Sequence, residues 1–157
     1  MQRVTRLVRS GRWPAAKTRG SVTLTYDERH RRRAVLRMET GETILLDLPR
    51  ATLLEEGDGL PLPEGGYVVV RAAPEPLIEI KAASPARLSR LAWHLGNRHL
   101  PAVIRPGRIL IRPDHVIQTM LEGLGARVKA VNQPFHPEGG AYAAQLNGHG
   151  HGHDHHH

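Results

Sequence analysis

The chain has 157 residues, a net charge of +7 and no cysteine; 39% of its residues are apolar and only 4% aromatic. That length fits one ordinary domain or two small ones with an aliphatic core. Disulfides and thiolate metal sites are excluded, and no segment approaches the roughly 18 apolar residues of a membrane span. The charge is uneven. Residues 1–40 hold eleven Lys and Arg against three Asp and Glu, whereas residues 41–157 hold eleven against twelve. An acidic partner drawn by charge would therefore meet the N-terminal quarter. The start, MQRVTRLVRSGRW, has no continuous apolar run and does not read as a secretory signal. A soluble, cytoplasmic protein with no membrane partner is expected.

Residues 1–73 read as a small all-β domain. RVTRLVR alternates apolar and polar residues. SVTLTY puts Val22, Leu24 and Tyr26 on one face and Ser21, Thr23 and Thr25 on the other, the period of a half-buried strand. RRRAVLRMETGETILLDL gives two strands around a hairpin signal at Glu39-Thr40-Gly41-Glu42, and GYVVVRAA is another β-rich run. No stretch of this half shows helical periodicity with caps. Pro74 and Pro76 read as a linker, after which LIEIKA opens a new strand.

The second half alternates. Ser84 and Pro85 signal an N-cap and first helical position, with Gly96 as the C-terminal stop; Leu88, Leu91, Ala92 and Leu95 form one apolar face between them. LPAVI and RILIR are strands joined by a turn at RPG. Asp114 caps a second helix whose apolar face is Val116, Ile117, Met120, Leu121 and Leu124, with Gly125 at its end. RVKAV is the last strand, ending near Val131. The order β-α-β-β-α-β is the split βαβ or ferredoxin-like arrangement, placed at residues 77–147. The overall class is α+β. The segment after Val131 holds too many turn residues for a further element, and residues 148–157 form a His-rich tail expected to be disordered. Domains this small have thin cores, so association into an oligomer would add stability.

Six of the last nine residues are histidine: His149, His151, His153, His155, His156 and His157. Five more lie upstream, at His30, His94, His99, His115 and His136. Without cysteine, any transition-metal site must use imidazole together with carboxylate, carbonyl or water, a donor set that suits Ni(II), Cu(II) or Zn(II). His99 follows a helix end and leads into a strand, which makes it either an exposed polar loop residue or a surface ligand. His94 sits near the edge of the apolar face of the first long helix. His115 lies in the first turn of the second, where the helix dipole disfavours a cation. His30 falls in the charged run DERHRRR, and His136 is uninformative alone. No H-E-x-x-H, phosphate-binding loop or G-x-S-x-G elbow is present, so no catalytic constellation appears and an enzyme is not expected. The basic run RHRRR lacks the interleaved aromatics of a nucleic-acid surface, and no nucleic-acid partner is expected.

WHLGNRHLP, RPDHVIQTML and QPFHPEGGAYA, in that order and followed by a His-rich terminus, resemble the UreE family of nickel metallochaperones for urease assembly. LDLPRATLLEEGDGL in the first half is also similar. The resemblance implies a peptide-binding-like N-terminal module and a ferredoxin-like domain that forms a symmetric homodimer. It implies that His99, from the GNRH motif, gives one ligand per subunit to a metal at the dimer interface, and that His115 is a secondary metal position. Some members carry another histidine two residues before the latter, where this chain has Pro113. The tail histidines are similar to the family's nickel-storing tail. Implied partners are the urease accessory GTPase and, through the assembly complex, the urease apoprotein; the implied cargo is Ni(II), with no organic cofactor. A residue at a two-fold axis meets its own copy, so an isologous interface would turn one imidazole into two. Affinity follows the Irving–Williams order, so Zn(II) and Cu(II) would compete. The alternatives are a general divalent-metal buffer or metal-dependent hydrolase, and an RNA-binding module using the N-terminal arginines.

Overall fold

The period-two runs of the first half become strands in a computed structural model that describes residues 1–139. They are β1 (Gln2–Val4), β2 (Thr18–Leu24), β3 (His30–Arg37), β4 (Thr43–Leu53), β5 (Gly59–Pro61) and β6 (Tyr67–Ala72). One sheet runs β1-β4-β3 and the other β2-β6-β5. β1 lies parallel to β4 and β2 parallel to β6, pairings that local turn signals do not encode. The inward residues of both sheets, among them Val4, Val22, Leu36, Ile44, Leu46, Val68 and Val70, are buried in one aliphatic cluster. The hairpin at residues 39–42 closes as its sequence predicts, with Met38 N donating to Glu42 O and Gly41 at φ +94°.

Three expectations for this half need correction. The first strand ends at Val4, and Val8 forms only an isolated bridge with Gly59. Tyr26 does not continue β2: it opens a one-turn helix, α1 (Tyr26–Arg29). Glu28 N donates to Thr25 Oγ1 and Thr25 N donates to Glu28 Oε1 (2.8 Å), a capping box that outcompetes strand continuation. A further 3-10 turn spans Ala15–Lys17.

The connection between β1 and β2 is tied down by a buried carboxylate. Asp58 accepts from Arg9 Nη1 (2.8 Å), Ser10 N (3.0 Å) and Glu55 N (2.9 Å). Trp13 lies over Gly59, where a Cβ would stand 2.7 Å from the indole. It donates Nε1–H to Gly57 O and stacks on Tyr67 at 4.9 Å.

The chain divides into two units, Met1–Ala73 and the part from Pro74 onward. The second unit comprises β7 (Pro74–Lys81), α2 (Pro85–Asn97), β8 (Ala102–Arg105), β9 (Arg108–Ile111), α3 (His115–Gly123) and β10 (Arg127–Pro134). Its sheet order, β10-β7-β9-β8 with every neighbour antiparallel, is that of the ferredoxin-like arrangement, and the class is α+β. Ile78, Ile80, Ile109 and Ile111 from the sheet bury against Leu91 and Leu95 of α2 and Ile117 and Leu121 of α3.

Here too the chain departs from expectation. Pro74 and Pro76 are not a linker but the first turns of the β7 ladder, opposite Pro134 and Asn132 of β10. β9 reaches β7 only from Ile78 onward, so the missing N–H groups interrupt no ladder on that side. β10 runs past Val131 to Pro134, and Phe135 beyond it is fully buried. On α3, Val116 (70% exposed) and Leu124 (41%) lie outside the buried face. Among the described residues no helix is long and apolar enough to cross a membrane.

Candidate metal centre

The sequence LAWHLGNRHLP sets the geometry around His99. Ser84 caps α2 by accepting from Arg87 N (3.2 Å). Gly96, expected to stop the helix, lies inside its last turn; the stop comes at Arg98 and His99. His99 has φ +56°, the only positive φ of a non-glycine among the described residues. Its N–H donates to Gly96 O (3.0 Å), and Leu100 N–H donates to Leu95 O (3.4 Å). These are the two bonds of a Schellman motif, with His99 in the left-handed position that glycine usually fills. For an L-residue that conformation costs roughly 1–2 kcal/mol, though histidine adopts it more readily than most. Leu95 is fully buried and Leu100 packs against the same cluster, so the strained backbone is clamped by apolar contacts on either side. The imidazole itself is exposed.

His115 is the first residue of α3 and is also exposed. Asp114 caps that helix by accepting from Ile117 N (3.0 Å), and His115 O accepts from Thr119 Oγ1. Because Ala102 pairs with Ile111, the entry to β8 just after His99 and the exit from β9 just before His115 lie at the same end of the sheet. The C-terminal segment leaves from that end as well: Glu138 N donates to Ala102 O at 2.7 Å. Histidines 99 and 115 and Glu138 thus share one end of the second unit. The tail positions His149, His151, His153, His155, His156 and His157 lie outside the described residues.

The remaining histidines are set apart by their contacts. His94 is half-buried and packs edge-on against Trp93, with ring centroids 5.1 Å apart. His30 belongs to the first unit, packs edge-on against Tyr26 at 4.6 Å and has its Nδ1 3.2 Å from Tyr26 O. Among the described residues, no three His, Asp or Glu side chains converge as a metal-holding group. Sequence reasoning overlooked the backbone of His99. The signal was available: a helix whose apolar period ends at Leu95 and resumes at Leu100, with no glycine between Asn97 and Leu100 to take the left-handed position.

Comparison with known proteins covers nearly the whole chain. Residues 2–73 match the family profile described as UreE urease accessory protein, N-terminal domain, and residues 75–157 the one described as UreE urease accessory protein, C-terminal domain. A urease accessory protein UreE of Bradyrhizobium sp. (strain ORS 278) is 51% identical over 149 residues, which cover 95% of this chain and 70% of that protein. That of Chelativorans sp. (strain BNC1) is 57% identical over 124 residues, 78% of each chain. That of Rhizobium meliloti (strain 1021) is 54% identical over 121 residues, 77% of this chain and 79% of that protein.

Proposed function

The chain belongs to the UreE urease accessory protein family, and from that premise we propose that it is a nickel-binding metallochaperone, delivering Ni(II) for assembly of the urease active site. Its working form is a cytoplasmic homodimer that has no reaction of its own. In it, His99 of each subunit supplies one imidazole to a shared metal at the two-fold axis. His115 offers a secondary position, and the tail histidines gather metal. The first unit serves as a peptide-binding-like module, the second as the metal and dimerisation domain, and the urease accessory GTPase and urease apoprotein are the partners.

The observation that carries this reading is the exposed His99 ring on a strained, clamped backbone. A surface imidazole that merely met water would gain nothing from a left-handed position that glycine fills at lower cost. The described part of one chain offers no set of three converging ligands, so a second copy is the economical source of another imidazole. A site of two imidazoles with open positions exchanges its metal readily, as a carrier requires. Tethering to the same chain gives the tail histidines a high effective concentration for gathering metal.

The test is calorimetric titration of Ni(II) into the full chain, the His99→Ala variant and a chain lacking residues 148–157. The tightest site should disappear in His99→Ala, while tail removal should lower the number of ions bound and leave that site. Binding should weaken on acidification, because a protonated imidazole has no lone pair to give. An unchanged tightest site in His99→Ala would reject the assignment.

A further inference from the structure

The first unit gathers Arg3, Arg32, Arg33 and Arg37 on one sheet face, and the strand register explains how they get there. Leu36 and Ala34 of β3 face the core, so Arg33, Val35 and Arg37 stand on the outer face. Across that face, Val35 lies opposite Leu45 of β4, and Leu45 lies opposite Arg3 of β1. One step along, Arg33 lies opposite Asp47. The ladder then breaks: Arg31 pairs with Thr52, so Arg32 alone spans the stretch from Leu48 to Ala51. A regular strand would send Arg32 and Arg33 to opposite faces. The irregularity lets both line a single open groove of about 390 Å³, with Arg3, Asp47, Leu48 and Pro49.

Charge on this face is not balanced internally. Asp47 accepts two bonds from Arg3, at 2.9 and 2.7 Å, and stands 3.9 Å from Arg33. Among the described residues Arg32 and Arg37 have no ion-pair partner, whereas Arg9 is paired with Asp58 and Arg71 with Glu56. Between the cations stand Val35, 59% exposed, and the half-buried Leu45. The face therefore offers an apolar contact between its cations.

We propose that the outer face of the β1-β4-β3 sheet docks an extended acidic segment of a partner protein, its carboxylates taken by Arg32, Arg33 and Arg37 and an apolar side chain resting on Val35 and Leu45. Arg33, Val35 and Arg37 stand at alternate positions of β3, about 7 Å apart from one to the next, the interval of alternate side chains on an extended peptide. Guanidinium forks match carboxylates in geometry as well as charge. The strands β1, β3 and β4 contain no Phe, Tyr or Trp to stack a base, so a peptide fits this face better than a single-stranded nucleic acid. The inference rests on the reading of the first unit as a peptide-binding-like module and is independent of metal binding.

The experiment measures fluorescence anisotropy with the full chain and a labelled peptide that repeats Glu-Ser-Val-Ser, so that Glu and Val alternate along one face of the extended chain. Polyglutamate of equal length and a single-stranded oligoribonucleotide of equal charge serve as comparisons. The alternating peptide should bind more tightly than either and weaken with added salt. Arg32→Ser combined with Arg33→Ser should reduce its affinity about tenfold, and Val35→Ser a few-fold, with circular-dichroism spectra unchanged because all three side chains are exposed. Ni(II) titration of these variants should match the unsubstituted chain, which keeps this result separate from the fate of the metal assignment. Equal binding of polyglutamate, preference for the oligoribonucleotide, or indifference to the arginine substitutions would overturn the proposal.

Discussion

The two long helices of the second unit end in the same motif built from different residues. In α3 the left-handed position is Gly125, at φ +90°, with Gly125 N bonded to Glu122 O and Ala126 N to Leu121 O. In α2 the same position is His99, bonded in the same way to Gly96 and Leu95. At both ends the carbonyl that accepts the longer-range bond belongs to a fully buried leucine, Leu95 or Leu121. Packing and hydrogen bonding are therefore matched, and the side chain at the left-handed residue is the difference. One end is built for stability; the other accepts backbone strain and leaves an imidazole exposed.

The comparison can be broken most forcefully at its shared part. Leu95→Ala and Leu121→Ala should each destabilise the second unit by about 2–5 kcal/mol, measured by urea unfolding. A large disparity between them would show that the two ends are not equivalent in packing. Next in size, Gly125→Ala should cost about 1–2 kcal/mol through backbone strain alone, since its added Cβ would meet only Arg87 Nη1, at 3.5 Å. The reverse exchange, His99→Gly, should raise stability by about 0.5–1 kcal/mol while removing the Ni(II) site proposed at His99. A destabilised His99→Gly chain would mean that the ring makes stabilising contacts of its own.

Acid gives the smallest effect and acts elsewhere. The hydrogen bond from Arg3, reinforced by the charges of Arg33 and Arg32, holds the Asp47 carboxyl below the usual aspartate range. Hydrogen bonds from the hydroxyl and N–H of Ser21 do the same for Glu39. A carboxyl depressed in the folded state stabilises it above the unfolded-state pKa, and that contribution is lost as pH falls through the depressed value. The first unit should therefore soften below the ordinary carboxylate range, and Asp47→Asn should flatten its melting temperature against pH there. The difference between the two helix ends, held by backbone groups, should persist across the same range.

Much of this architecture is written locally. Ser84 and Asp114 are caps because a side-chain oxygen before an apolar period has an N–H to satisfy, and the β-α-β-β-α-β order follows from the change of period. What escaped the sequence depends on distant or subtle terms. The parallel pairing of β1 with β4 joins residues some forty positions apart, and no turn signal reports it. Tyr26 has the right period for β2, but the Thr25–Glu28 capping box prevails. Val116 and Ile117 are equally apolar, and only the packing of α3 on the sheet buries one and exposes the other. At the candidate site, His99 and His115 were legible by type and motif. Their placement at one end of the sheet required the register of β8 and β9, and the strain at His99 required its φ angle.

The placement of the two tryptophans gives each unit its own optical reporter. Trp13 is partly shielded, stacked on Tyr67 and hydrogen-bonded to Gly57, whereas Trp93 is 65% exposed on the last turns of α2. Their emission maxima should be separable, the first blue-shifted and the second close to that of indole in water. One spectrum recorded through a melt would then follow the two units independently, and Ni(II) added to test the site proposed at His99 should perturb only the red component.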